Sequence, residues 1–383
     1  MLPLLVITVA TALAFDYTNG FHDTANAMAT TIATRALRPQ TAVAMASALN
    51  LVGAFLSVTV AATIASGVVD QLRITVPVIF AGLAGAIVWN VITWYRGIPS
   101  SSSHALVGGM VGSVLAAEGT AGVIWSGVAA KVLVPALLAP IVCGVAALVA
   151  TRVADRLTRP VGRDDARTSF RKSQILSSGL VALAHGTNDA QKTMGVIVLT
   201  LIAANRLPAG AGVPTWVKVT CAAAVALGTF SGGWRVIRTL GTKITHIEPE
   251  QGFSAETASS TTILASAFFG FSLSTTQIVS GGVIGAGLGR PGGVIDWKVV
   301  RRMALAWGAT LPAAGLMGAA AELIVATAPS RTVGVIVVAA IAVAVVSAIG
   351  IRSRRDSVNA GNVLGETAAD EPERPPAKSL VAA

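Results

Sequence analysis

The run GFHDTANAM, residues 20–28, sets His22, Asp23, Thr24 and Asn26 inside a stretch that is otherwise long and apolar. A carboxylate at bilayer depth costs several kcal/mol unless it faces a partner or lines a wet cavity, so intramembrane acids are rare and usually functional. Asp23 needs a neighbour or a task. The chain supplies a second copy. GTNDAQKTM, residues 186–194, aligns on the first run without gaps, pairing Gly20 with Gly186, His22 with Asn188, Asp23 with Asp189, Asn26 with Lys192 and Met28 with Met194. SSSHALVGGMVG (101–112) likewise aligns on STTQIVSGGVIG (274–285), matching Ser102 with Thr275, Ser103 with Thr276 and His104 with Gln277. The offsets are 166 and 173 residues, and the two motifs recur in the same order.

Brought together, these runs offer hydroxyls (Ser101, Ser102, Ser103, Ser274, Thr275, Thr276), carboxylates (Asp23, Asp189), amides (Asn26, Asn188, Gln277), imidazoles (His22, His104) and one ammonium (Lys192). Each Ser/Thr run precedes an apolar, Gly-rich helical stretch, so free backbone N–H groups and a helix dipole would face whatever binds there. Such a cradle suits a small tetrahedral oxyanion. Carboxylates beside an anion favour one that still carries a proton to donate, as phosphate does and fully ionised sulfate does not. The same carboxylates could also hold a coupling cation or carry a proton.

The elements that must position these groups are membrane helices. Of 383 residues 53% are hydrophobic and 12% charged, against about 25% charged in an ordinary soluble domain. A spanning helix needs about 20 mostly apolar residues, and eleven such stretches lie near 2–34, 40–69, 76–95, 100–119, 131–151, 174–204, 214–234, 254–271, 274–289, 302–326 and 331–350. The fold expected is an all-α polytopic membrane protein. Residues 1–151 form a first repeat of about five spans, 152–173 a basic cytoplasmic loop, 174–326 a second repeat, 327–351 an additional span and 352–383 a disordered cytoplasmic tail. With five spans per copy the second enters from the opposite side, so the repeats are inverted, and the site is expected near the midplane where they meet. The 274–289 stretch is short, and the first and sixth are interrupted by polar residues, which predicts broken or re-entrant segments.

The N-terminal stretch lacks a basic n-region and reads as the first span, not a cleaved signal. With the N-terminus outside, 22 of the 28 Lys and Arg residues fall in inner loops or the tail. The net charge of +10 then follows the positive-inside rule and gives no reason to invoke nucleic acid. Two cysteines, Cys143 and Cys221, support neither a disulfide framework nor a Cys metal site.

The quoted motifs, with FDYTNGFHDTANAMATTIATR, AHGTNDAQKTMGVI, SSSSHALVGG, STTQIVSGG and GTKITHIEPEQGFSAE, resemble the inorganic phosphate transporter family up to about residue 350. The resemblance implies a secondary transporter importing inorganic phosphate across the cytoplasmic membrane, with no resident cofactor. It assigns phosphate contact to Ser101, Ser102, Ser103, Ser274, Thr275 and Thr276, with Asn188 and Gln277 beside them. Coupling of a cation or proton falls to Asp23, Asn26 and Asp189, joined by Lys192, His22 and His104. Sodium-driven members usually have Asn in both motif copies, whereas this chain has Lys192 in the second. A fixed ammonium can stand where a sodium ion would sit, so the resemblance points to the bacterial branch that couples to protons and carries phosphate as a neutral complex with a divalent metal. Imidazoles suit proton transfer near neutral pH. Glu256 resembles a family position but would equally serve as a helix N-terminal acid. Asp16 is placed at the outer mouth, His185 as a residue orienting the second motif, and His246 in a loop.

Other readings compete. A sodium-coupled phosphate symporter or a sulfate permease would use the same scaffold. An intramembrane metallohydrolase could draw on His185 and Asp189, spaced i,i+4, with His22 and Asp23, but no paired-ligand motif such as HExxH is present and the duplicated groups would have no use. A simple channel conflicts with so many converging donors and acids.

Overall fold

The computed structural model describes residues 2–160 and 162–365. Its elements are α1 (Leu2–Ala33), α2 (Pro39–Gly53), α3 (Thr59–Gly67), α4 (Val76–Tyr95), α5 (Ser102–Glu118), α6 (Trp125–Val128), α7 (Val134–Thr158), α8 (Arg163–Ala203), α9 (Thr215–Ser231), α10 (Trp234–Arg238), α11 (Pro249–Phe268), α12 (Thr275–Gly289), α13 (Trp297–Thr327) and α14 (Arg331–Ser353). Among the described residues the only β pairing is two isolated bridges, Val69 with Val123 and Thr245 with Ile295. Among the described residues six helical stretches are long and apolar enough to cross a membrane. The chain is a multi-pass membrane protein.

Both motif helices are continuous, contrary to the expectation of broken first and sixth spans: α1 and α8 run unbroken through the Asp23 and Asp189 runs. Their hydroxyls bond back to the preceding turn, as Thr24 Oγ1 does to Gly20 O at 2.7 Å and Thr187 Oγ1 to Leu183 O at 2.8 Å, so the polar residues leave the helix ladder intact. The breaks fall elsewhere. The expected 40–69 span divides into α2 and α3 at residues 54–58, and the end of α9 is turned by Gly232, at φ +72°, and Gly233 before α10 begins. Gly233 lies so close to the Phe21 carbonyl of α1 that a Cβ would overlap it.

The basic stretch 152–173 is not a loop either. α7 continues to Thr158 and α8 starts at Arg163, with Asp164 and Asp165 in its first turn, where acids favour the helix dipole. Beyond α14, residues 354–365 fold back on the molecule, so that part of the expected disordered tail is ordered, with Val363 buried. Residues 366–383 lie outside the described residues.

Two apolar clusters sandwich the motifs. One gathers Phe15, Ile64, Val107, Met194 and Val225, the other Met28, Ile32, Val181, Val236 and Ile278. The polar runs 22–26 and 185–192 fall between members of the two clusters along α1 and α8, while 101–104 and 274–277 lie at the starts of α5 and α12, each followed by one cluster, which together sets a buried polar layer. α5 packs on α13, and α12 on α7, through small residues: a Cβ on Gly112 would overlap the Gly315 carbonyl and one on Gly285 the Gly144 carbonyl. Close backbone approach through small residues is the usual means of joining helices in a membrane. Gly285→Leu is therefore expected to force α12 off α7 and lower the thermal midpoint of the detergent-solubilised protein, at a cost of about 1–3 kcal/mol typical of overpacking; an unchanged midpoint would show that the two helices are not in backbone contact.

Candidate functional site

α1 and α8 cross with their motifs face to face, and the starts of α5 and α12 end at that crossing. Ser101 and Ser274 are the N-caps of α5 and α12, with almost the same backbone (φ −94°, ψ 106° and φ −84°, ψ 106°) and their hydroxyls accepting from His104 N and Gln277 N. Both helix N-termini are buried; the first turn of α12 reaches the two carboxylates through Thr275 and Thr276, and that of α5 reaches Lys192 through Ser103.

Lys192 organises the centre. Its ammonium donates to Asp189 Oδ1, to Ser103 Oγ at 2.5 Å and to Leu273 O at 2.8 Å, so all three protons are accepted. These bonds tie α8 to the start of α5 and to the turn before α12. Asn26 donates to Thr275 Oγ1 at 3.3 Å and Thr276 Oγ1 at 3.0 Å. Thr276 in turn donates to Asp23 Oδ1 at 3.3 Å and Thr275 to Asp189 Oδ2 at 3.1 Å. His22 Nδ1 meets Asp23 Oδ1 at 2.7 Å, with its Nε2 near Ser100 and Thr93 hydroxyls at 3.3 and 3.4 Å.

Ten of the sequence-derived residues thus form one network or cap it: His22, Asp23, Asn26, Ser103, Asp189, Lys192, Thr275 and Thr276, with Ser101 and Ser274 as the caps. Ser102 Oγ, Asn26 Oδ1 and Gln277 Oε1 are buried at its edge without a hydrogen-bond partner among the described residues. Asn188 instead turns to Ser266 Oγ at 3.2 Å, and its own Oδ1 has no partner among the described residues. The His104 ring is buried and, among the described residues, makes no hydrogen bond; its backbone serves the Ser101 cap.

His185 stands much nearer the centre than the sequence suggested. Its Nε2 lies 3.0 Å from Asp189 Oδ2 and 3.9 Å from Asp23 Oδ2, and its Nδ1 faces Asn50 Oδ1 at 3.2 Å. Asp23, His185 and Asp189 each bring one ligand atom within 4.8 Å of the others, a group that could hold a cation. Only the i,i+4 spacing of His185 and Asp189 signalled this; Asn50, Thr93, Ser100 and the Leu273 carbonyl gave no sequence signal at all. Asp23, Asp189 and Lys192 are 1%, 0% and 2% exposed, so the site is closed on every side.

Two acids fall elsewhere. Glu256 is in the third turn of α11, not at its start, where Glu248 and Gln251 form the capping box. It receives Thr30, Thr31, Gln174 and Ser177 at 2.5–2.9 Å. Asp16 is fully buried against Thr193 at 2.8 Å and lines no mouth. His246 is an exposed loop residue, as expected.

A helical membrane fold with a sealed polar layer, in which carboxylates, hydroxyls and one ammonium converge on two buried helix starts, is that of a transporter. Residues 19–318 match the phosphate transporter family, and the chain belongs to it. It is 56% identical over 317 residues to a probable low-affinity inorganic phosphate transporter of Mycobacterium tuberculosis, covering 82% of this chain and 76% of that protein. It is 40% identical over 326 residues to a protein of the same description from Bacillus subtilis, covering 85% and 98%. In fold it is similar to a solved structure described as the sodium-dependent phosphate transporter, with TM-score 0.76, 24% identity, and 85% and 99% of the two chains covered. The chain is thus a transporter and not an enzyme, and the metallohydrolase reading falls.

Asp23→Asn and Asp189→Asn should each abolish uptake of the transported anion into proteoliposomes while the protein still inserts and elutes as the wild type does. Normal transport by either variant would remove these aspartates from the site.

Proposed function

We propose that the protein imports inorganic phosphate across the cytoplasmic membrane, coupled to protons, by alternating access between two inverted repeats, with the N-terminus outside and the basic face cytoplasmic. The observation that carries this reading is Lys192. Where its motif counterpart is the neutral Asn26, the ammonium occupies the second copy with all three protons accepted, one of them by Asp189. A built-in ammonium already pairs with that carboxylate and leaves no need for a sodium ion there.

The repeat reading is supported by paired packing. Gly108 and Gly112 of α5 abut Leu311 and Gly315 of α13, while Gly281 and Gly285 of α12 abut Pro140 and Gly144 of α7. The Val69–Val123 bridge is matched by Thr245–Ile295, and the two serine caps share one backbone geometry. Phosphate fits the polar layer because its remaining proton can be donated to Asp23 or Asp189 while its oxygens accept from the Ser/Thr hydroxyls and helix N-termini. A divalent metal entering with it would find the oxygens of Asp23 and Asp189 and the His185 nitrogen within reach.

The test is uptake of radiolabelled phosphate into liposomes holding the purified protein, under an inward proton or an inward sodium gradient, each with and without magnesium and excess sulfate. Proton-driven uptake that sulfate does not compete is expected, and stimulation by magnesium would indicate the metal complex. Uptake driven only by sodium would keep the substrate and overturn the role given to Lys192. In the same assay Lys192→Ala should either stop transport or make it sodium-dependent; an unchanged, sodium-independent rate would remove the built-in cation.

A further inference from the structure

The segment after the last helix does not leave the molecule. Residues 354–365 form a loop held by its own asparagines: Asn359 N donates to Asn362 Oδ1 at 2.9 Å, Gly361 N to Asn359 Oδ1 at 2.8 Å and Asn362 Nδ2 to Ser357 O at 3.0 Å. Val363 is 1% exposed and enters the apolar cluster that contains Ile32, Val236, Ile237 and Leu240.

Both arginines of α10 donate to this loop or to the end of α14 that leads into it. Arg235 donates to Ser353 O at 3.2 Å and Asp356 O at 2.5 Å, and Arg238 to Val363 O at 3.2 Å, to Asn362 O and to Asn362 Oδ1 at 3.3 Å. Charged donors to carbonyls are stronger than neutral ones. Neither guanidinium is paired with an acid in these contacts.

α10 leads from the loop to the site. On one side it and the residues flanking it lie along α1 across the His22–Asn26 run, with Gly233 against the Phe21 carbonyl and Gly241, about two turns further, against that of Ala29. On the other it holds the end of α4: Arg235 stacks on Tyr95 at 5.1 Å and donates to its carbonyl at 3.4 Å, and Thr239 Oγ1 donates to Gly97 O at 2.7 Å. Residues 95–97 open the turn that carries Ser100 to Ser103. This five-residue helix follows the Gly232–Gly233 hinge, and its Val236 and Ile237 are buried in the same cluster that Val363 enters, so the loop and the helix share one packing surface.

We propose that residues 354–365 are a latch that holds α10 against α1 and the 95–100 turn, keeping the site closed toward the face where α14 ends. Opening on that face requires α10 to leave α1, and the Arg235 and Arg238 bonds and the Val363 contact must break first. The inference rests on reading the His22–Asn26 and Ser100–Ser103 groups as the transport site, but its test reads the backbone and not transport, so the two can fail separately.

The test is hydrogen–deuterium exchange on the full-length protein in detergent, wild type against Val363→Glu, which expels the latch, and Arg238→Gln, which weakens it. Residues 234–243 and 95–100 should exchange at least about tenfold faster in Val363→Glu, and less so in Arg238→Gln, as expected of a local opening. Exchange in α5 and α13 should be unchanged. Unaltered exchange at 234–243 while 354–365 itself exchanges freely would overturn the latch. So would loss of protection spread evenly over the protein, which would make the loop a general brace. If Val363→Glu does not fold, Arg238→Gln decides between the same outcomes.

Discussion

An ammonium buried at mid-height in a membrane protein is tolerable only when its protons are all accepted and a countercharge is beside it. Lys192 meets that condition with one carboxylate, one hydroxyl and one carbonyl, drawn from three different elements. The consequence is geometric as much as electrostatic. Because the acceptors belong to α8, to the start of α5 and to the turn before α12, satisfying one side chain fixes where both buried helix starts must end. Thr275 and Thr276 are then delivered to Asp189 and Asp23, and Asn26 closes the arrangement from α1. A neutral residue at position 192 would leave Ser103 and the Leu273 carbonyl without their shared donor.

The continuity of α1 and α8 follows from the same economy. A helix can carry Asp, His and Asn through its middle if the backbone ladder is untouched and the side chains find partners on neighbouring helices. In lipid the alternative, an unpaired backbone group, costs several kcal/mol. The irregular backbone is therefore displaced to 54–58, 232–233 and the two caps; 232–233 and the caps are buried under other protein, while Phe55, Leu56 and Val58 are exposed. The polar layer is held by helices, and the breaks lie around it.

Much of the site was legible in the sequence because duplication writes it twice. The pairing of Asp23 with Asp189 and of the two Ser/Thr runs needs only an alignment of the chain on itself, and the family match bears out the kind of protein they make. What was not legible depends on which helices cross. Gly20 of α1 is pressed against α9 at Val225–Thr229, and Gly186 of α8 against α2 at Asn50, so the place of His185 is set by packing between helices; spacing along one helix could show its reach to Asp189 but not to Asp23. Glu256 looked like an N-terminal acid because the apolar signal of α11 starts later than the helix, whose first turn is the polar Pro249–Gly252 under the Glu248 cap. The stretch 354–365 reads as polar and aperiodic, and nothing in it announces that two arginines more than a hundred residues earlier accept it as a ligand.

The hydrogen-bond roles also bear on how an anion would enter the layer. Ser101 and Ser274 accept from backbone N–H groups as caps, which leaves each hydroxyl proton free to point at an oxyanion, so capping and binding are compatible. Thr275 and Thr276 are different, since their protons already go to the two carboxylates. For an anion to take those protons, Asp189 and Asp23 must find others. A phosphate oxygen that keeps its own proton can supply one, and a proton delivered to the carboxylate can supply the other. On the proposed reading, binding the anion and loading the acid are thus one exchange of hydrogen bonds, and the layer needs no separate device to link them.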